Sequence, residues 1–191
     1  MNRLELEHII RAAGAIVQTD EFIVIGSQSI LGGYPNISNR TILLSEEADL
    51  IPPGDDQETR DLIDGSIGEA SRFHRTFGIY AQGVSYETAV LPKDWQNRLV
   101  PVGGENTRGV IGWCLDPHDL VLAKYAAGRD KDYEFNREVI KEGLVDKNIL
   151  LKRLLTMTLS ESRKKSIQIA ISSEFSRFWP KNMRPETEER G

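Results

Sequence analysis

One cysteine in 191 residues, Cys114, excludes an internal disulfide. A chain without such staples must bury an apolar core of its own, and it suits a reducing cytoplasm. Long hydrophobic runs are missing too. No stretch approaches the roughly 20 apolar residues that span a bilayer, and the first ten residues, MNRLELEHII, carry acids where a signal peptide would be apolar. Basic excess is also absent. The 24 Lys and Arg against 29 Asp and Glu leave a net charge of −5, which excludes a whole-surface electrostatic grip on nucleic acid but not a local basic pocket. The histidines, His8, His74 and His118, lack metal-ligand spacing and are expected on the surface or at caps.

What is present is globular: 39% hydrophobic and 28% charged residues, enough for one domain or one domain with an appended helical part. Leu4, Leu6, Ile9, Ile10, Ala13 and Val17 recur at helical spacing over 4–18. The run Phe22-Ile23-Val24-Ile25 is short and β-branched, so it reads as a buried strand that ends at Gly26. A helical turn over Ser27–Leu31 is halted by Gly32, Gly33 and Pro35. Residues 41–51, TILLSEEADLI, read as a second strand with Glu47, Asp49 and Ile51 on one face and Ala48 and Leu50 on the other. Asp55 and Asp56 then open a helix expected to reach about Phe73, with Leu62, Ile63, Ile67 and Ala70 inward.

Further strands are expected near 77–82, 88–91, 98–102 and 109–115. Asp116-Pro117-His118-Asp119 predicts a capped helix start, and Gly128 its left-handed end. Helices over 132–142, after Asp146 and over 160–178 follow. Cys114 is expected to be a small buried residue, Trp95 and Trp113 to pack in the core or at an edge, and Trp179 to anchor the last helix. The chain thus divides into an α/β core over 1–115, a helical part over 116–179 and a flexible tail over 180–191.

Two spacings carry chemistry. Glu47 and Asp49, two apart on a strand, point the same way with Cα atoms about 6.5 Å apart, within reach of one Mg²⁺ or Mn²⁺. Gly26-Ser27, directly after a strand, lets backbone N–H groups and a hydroxyl approach a phosphate. A second cluster joins Lys124, late in one helix, to Asp132 at the start of the next across the Gly128 break, with Arg129 and Lys131 between them. Lys124 could neutralise triphosphate charge and Asp132 could orient it or take the proton of an incoming hydroxyl, or all four could simply favour the dipoles of their own helices.

The stretches FIVIGSQSILGGYP and NRTILLSEEADLI together resemble the signature of polymerase-β-type nucleotidyltransferases, a hydrophobic–Gly–Ser turn ahead of an acidic pair. Glu47 stands where that signature usually has Asp, and the superfamily's third carboxylate has no counterpart, Glu87 being poorly suited. LDPHDLVLAKYAAGRDKDYEFNREVIKEGLVD is similar to the C-terminal motif of the AbiEii-like toxin nucleotidyltransferases, and LPKDWQNRLVPV to a linking stretch in their relatives. The resemblance implies an α+β fold: a small mixed-sheet nucleotidyltransferase core flanked by helices, with a helical C-terminal half. It implies that Glu47 and Asp49 hold Mg²⁺ or Mn²⁺, that Gly26, Ser27, Arg129 and Lys131 bind nucleotide, and that Lys124 and Asp132 complete the site. The partners implied are a nucleoside triphosphate, an RNA (tRNA included) or protein acceptor and, in a toxin–antitoxin or phage-defence pair, a separate antitoxin protein, with no membrane. The rival expectation is a catalytically silent relative that keeps the fold for binding.

Overall fold

The computed structural model describes residues 1–178. The expected anchor Trp179 and the tail 180–191 lie outside the described residues. The first helix, α1 (Arg3–Val17), opens with a capping box in which the Asn2 side chain accepts from the Glu5 N–H and Glu5 accepts from that of Asn2. It buries Leu6, Ile9, Ile10 and Ala13, the apolar positions of its 3.6-residue period. β1 (Glu21–Ile25), a 3₁₀ turn (Ser27–Ser29), α2 (Ile30–Gly33), β2 (Glu47–Ile51), α3 (Gln57–Ile67), α4 (Arg72–Phe77), β3 (Tyr80–Gly83), β4 (Val100–Val102) and β5 (Ile111–Cys114) complete the α/β half. The rest is helical: α5 (Pro117–Ala127), α6 (Asp130–Lys141), α7 (Lys147–Leu154) and α8 (Glu161–Phe178).

Among the described residues the strands form one mixed sheet in the order β3-β2-β1-β5-β4. β1 lies antiparallel to β2 and parallel to β5, β2 parallel to β3, and β4 antiparallel to β5. The pleat sorts side chains onto two faces. Phe22, Val24, Ala48, Leu50, Ala81, Val102 and Cys114 are buried on one face. Helices sit so close over it that only hydrogen fits at three points. A Cβ on Gly112 would stand 2.4 Å from Ile10 of α1, one on Gly32 of α2 2.5 Å from the Cys114 Cβ, and one on Gly83 2.6 Å from the Arg60 carbonyl of α3. The opposite face, by the same alternation, carries Ile23, Ile25, Glu47, Asp49, Ile51, Tyr80, Gln82 and Trp113.

α5 begins as the sequence predicts: Asp116 accepts from the His118 N–H, Pro117 occupies the first turn, and Gly128 closes the helix at φ 70°. His118 acts as a cap of a second kind, its Nε2 accepting the Asp146 N–H at 3.0 Å. Asp119, fully buried, binds Arg98 at 2.8 Å and Arg153 at 2.9 Å, tying α5 to the 95–98 turn and to α7. From α8, Arg163 reaches the last turn of α5 and donates to the carbonyls of Tyr125 (3.0 Å) and Ala126 (3.3 Å). Leu120, Val121, Leu122 and Tyr125 of α5 belong to the same hydrophobic cluster as Leu50 of β2 and Ile171 of α8.

Several expected elements differ. Residues 41–46 are turns and extended chain; β2 starts at Glu47, because the Asn39 side chain accepts from the N–H groups of Thr41 and Ile42 and folds that stretch into a turn. The helix expected to reach Phe73 breaks after Ile67. Ala70 takes φ 58°, Ser71 caps α4, and Leu62 is 47% exposed, so neither Leu62 nor Ala70 faces inward. The 88–91 stretch pairs with no strand among the described residues and runs as loop after a 3₁₀ turn over Tyr86–Thr88. α6 begins at Asp130, two residues before the expected start, so Asp132 occupies the third helical position.

Candidate active site

At the C-terminal end of β1 the chain leaves the sheet through Gly26, with φ 68° and ψ −171°, a conformation essentially confined to glycine. Space makes the same demand: a Cβ here would fall 1.8 Å from Asp49 Oδ2. The backbone of the turn is thus pressed against the second acid of β2, whose residue pairs with Ile25. Ser29 holds the turn by donating its hydroxyl to the Gly26 carbonyl at 2.8 Å. Buried Gln28 donates to the Ser45 carbonyl at 3.0 Å, and the Ser45 hydroxyl accepts the Glu47 N–H at 3.1 Å, so the turn and the start of β2 are linked. Ser27 is left facing a cleft.

Glu47 and Asp49 both line that cleft, near enough for the charge of one to act on the carboxyl of the other. Burial and the Glu47 charge push the Asp49 carboxyl up to about 7, against the pull of Lys124 and Arg129. From β3, Tyr80 stands beside Glu47 and Gln82 beside Asp49. Burial and Glu47 push the Tyr80 phenol up to about 12, so it keeps its proton and can donate to the carboxylate.

The facing wall comes from α5 and α6. Lys124 Nζ lies 3.2 Å from Asp132 Oδ1 and 4.5 Å from the centre of the Phe135 ring. Arg129 places Nε 2.7 Å from Asp132 Oδ2 and Nη2 3.2 Å from Oδ1. Asp132 is fully buried. Burial works to raise its carboxyl, but Arg129 and Lys124 outweigh this and hold it below the ordinary carboxylate range. Burial pulls the Lys124 ammonium down, and Asp132 opposes that pull. Of the two roles open to Asp132, orienting the lysine or taking a proton from an acceptor, the geometry favours the first, since both of its oxygens are bonded to cations. The Arg129 side chain is 61% exposed and, like Lys131, borders the cleft.

The cleft has a volume of about 900 Å³. It brings together Gly26, Ser27, Glu47, Asp49, Lys124, Arg129 and Lys131, with Asp132 behind them. Gln57, Arg60, Gln82, Ser85 and Thr88 extend one wall and were not singled out from the sequence. The alternation in Tyr80-Ala81-Gln82 could have shown that Tyr80 and Gln82 share a face, but not that this face is that of the acids.

The donor set suits a hard divalent cation: two carboxylates, close enough to repel, that would both ionise around one. Among the described residues no group of three or more His, Cys, Asp or Glu converges as metal ligands. Mg²⁺ commonly sits on one or two carboxylates and takes its remaining ligands from water and substrate phosphates, so a pair is enough. No helix among the described residues is long and apolar enough to cross a membrane.

A family model described as "Nucleotidyltransferase of unknown function (DUF6036)" matches residues 4–179. No curated protein and no solved structure matches the chain.

Proposed function

The chain belongs to this family of nucleotidyltransferases of unknown function, and from that premise we propose that it moves a nucleoside monophosphate from a nucleoside triphosphate to a hydroxyl in a Mg²⁺- or Mn²⁺-dependent reaction. The observation that carries this reading is the opposition of charge across the cleft: Glu47 and Asp49 on the sheet, Lys124 and Arg129 on the helices. In this reading Glu47 and Asp49 hold the cation. The cation supplies charge neutralisation and a template for the phosphates. Gly26 and Ser27 present a backbone N–H and a hydroxyl to the triphosphate, and Lys124, Arg129 and Lys131 balance its negative charge. Asp132 orients Lys124 and Arg129 and does not touch the reacting atoms. The wall of Gln82, Ser85 and Thr88 takes the nucleoside.

In the transfer the acceptor oxygen bonds to the α-phosphorus. The bond from that phosphorus to the oxygen bridging to the β-phosphate breaks, pyrophosphate leaves with the bonding electrons, and the hydroxyl proton passes to water in the open cleft. The likeness of residues 115–146 to AbiEii-like toxins extends the reading to a toxin whose partner is a separate antitoxin protein and whose acceptor is RNA, tRNA included, or protein.

The test is incorporation of labelled nucleotide into total RNA or total protein, with and without Mg²⁺, by the wild type and by Asp49→Ala. The variant should lose about 4 kcal/mol of transition-state stabilisation, roughly a thousandfold in rate. Equal, metal-independent signals from both proteins would remove the enzyme and leave the silent binding relative. Growth arrest on induction that disappears with Asp49→Ala would support the toxin.

A further inference from the structure

We propose that the face of the sheet bearing the acid pair continues past it into a subsite for one base of a nucleic-acid acceptor, built on Trp113; this rests on the nucleotidyltransferase reading above. β1 and β2 run antiparallel with Ile25 opposite Asp49 and Ile23 opposite Ile51. A step of two residues along both strands, about 7 Å, therefore leads from the acids to Ile23 and Ile51. The Gly26–Ser27 turn lies at the other end of this line. β5 sets Trp113 beside Ile23. There a second cavity of about 400 Å³ opens, walled by Ile23, Ile51, Tyr86, Leu99 and Trp113.

In-line displacement dictates which end serves which substrate. The attacking and leaving oxygens lie on opposite sides of the transferred phosphorus. With the triphosphate tail on Ser27, Lys124 and Arg129, pyrophosphate departs at that end. The incoming hydroxyl must then approach from the Ile23–Ile51 end, and the group that bears it sits in the second cavity.

The chemistry of that cavity selects a planar, uncharged ring with a hydrogen-bonding edge. Trp113 is fixed on the sheet because its Nε1 donates to Glu21 at 3.0 Å. Tyr86 is backed by Trp95, with ring centres 6.2 Å apart. At the rim, exposed Gln96 and Asn97 each offer an amide that both donates and accepts. Among the described residues the lining holds no Lys or Arg, so it is not built for a phosphate. Stacking on an aromatic with amides at the base edge is how proteins take splayed single-stranded bases. It also suits a chain whose net charge of −5 forbids a broad electrostatic grip.

The test titrates an RNA hexamer carrying 2-aminopurine at its 3′ end with the full chain, since stacking quenches that base's fluorescence. The wild type should bind and quench. Trp113→Phe should retain binding, and Trp113→Ala should lose between about fivefold and a hundredfold in affinity, the worth of one stacked base. Gln96→Ala with Asn97→Ala, at exposed positions that leave the fold intact, should lose severalfold. This pair carries the test should Trp113→Ala not fold. Unchanged affinity in the variants would overturn the subsite, as would a wild type that ignores the hexamer while a tyrosine-bearing peptide changes Trp113 emission. A thermal shift with Mg²⁺ and nucleoside triphosphate separates the two readings. A shift without Trp113-dependent quenching sinks the base subsite alone, whereas Trp113-dependent quenching without a shift sinks the transferase reading and leaves a base-binding cavity.

Discussion

On the sheet side of the cleft Glu47 and Asp49 press against each other, and the second is pushed toward neutrality by burial and by the first. On the helix side Asp132 is closed off from solvent yet stays ionised, because Lys124 and Arg129 enclose it. The same residue type, in the two walls of one cleft, meets opposite electrostatic conditions. On the helix side Asp132 and its two cations, Lys124 and Arg129, are paired as folded. The sheet side instead sets two carboxylates close enough that burial and Glu47 together raise the Asp49 carboxyl. In the proposed reading one wall is architecture and the other takes the cation, and substitutions should divide along that line.

The sharpest way to break this contrast is to remove one acid from each wall and measure urea unfolding. Asp132→Ala strands the nearly buried Lys124 and should cost about 3 kcal/mol. Asp49→Asn removes a repulsion and should raise the unfolding midpoint even though activity falls. The opposite order of stabilities would erase the distinction. Next in size is Gly26→Ala. Its Cβ has no room beside Asp49 Oδ2, and a residue with a Cβ is strained at φ 68°, so a loss of about 2 kcal/mol and weaker Mg²⁺ binding by calorimetry are expected.

Acid titration sharpens the contrast on the helix side. Burial favours the neutral form of Asp116, the cap of α5, but His118 and Arg153 prevail and bring its carboxyl down to about 2. A carboxyl lowered on folding contributes stability that is present above its unfolded value near 4 and lost as pH falls through the folded value. Between pH 4 and pH 2 the chain should therefore lose about 2 kcal/mol from this group, and Asp116→Asn should flatten that segment of the curve. The smallest effect is expected at exposed Arg129. Its replacement by Ala should weaken nucleoside-triphosphate binding about tenfold, the worth of one charged hydrogen bond.

The features legible in the sequence were those decided within a few residues. Asp116, Pro117 and Gly128 bound α5 by cap chemistry alone, and the alternation over 47–51 sets Glu47 and Asp49 on one face. Where distant contacts decide, the local pattern misleads. Ile42 is fully buried, so its stretch looked like strand, yet it is buried from within a turn that Asn39 caps. Residues 88–91 have the composition of a strand without a neighbour to pair with among the described residues. In the site, the acids, the Gly-Ser turn and Lys124 could be picked out by motif. Gln82 beside Asp49 and Tyr80 beside Glu47 follow from the parallel register of β2 and β3, which joins segments some thirty residues apart and leaves no local trace.

The guanidinium of Arg163, seated on the carbonyls of Tyr125 and Ala126, makes the farthest helix a clasp on the segment that presents Lys124. The clasp leaves little slack: a methyl group on Gly128 would meet the same guanidinium at 2.5 Å. Anything that pries α8 from its seat, whether a truncation or a bound protein, would unfasten the lysine's helix from behind without entering the cleft. A surface remote from the acids thus holds a mechanical handle on the cation that faces them.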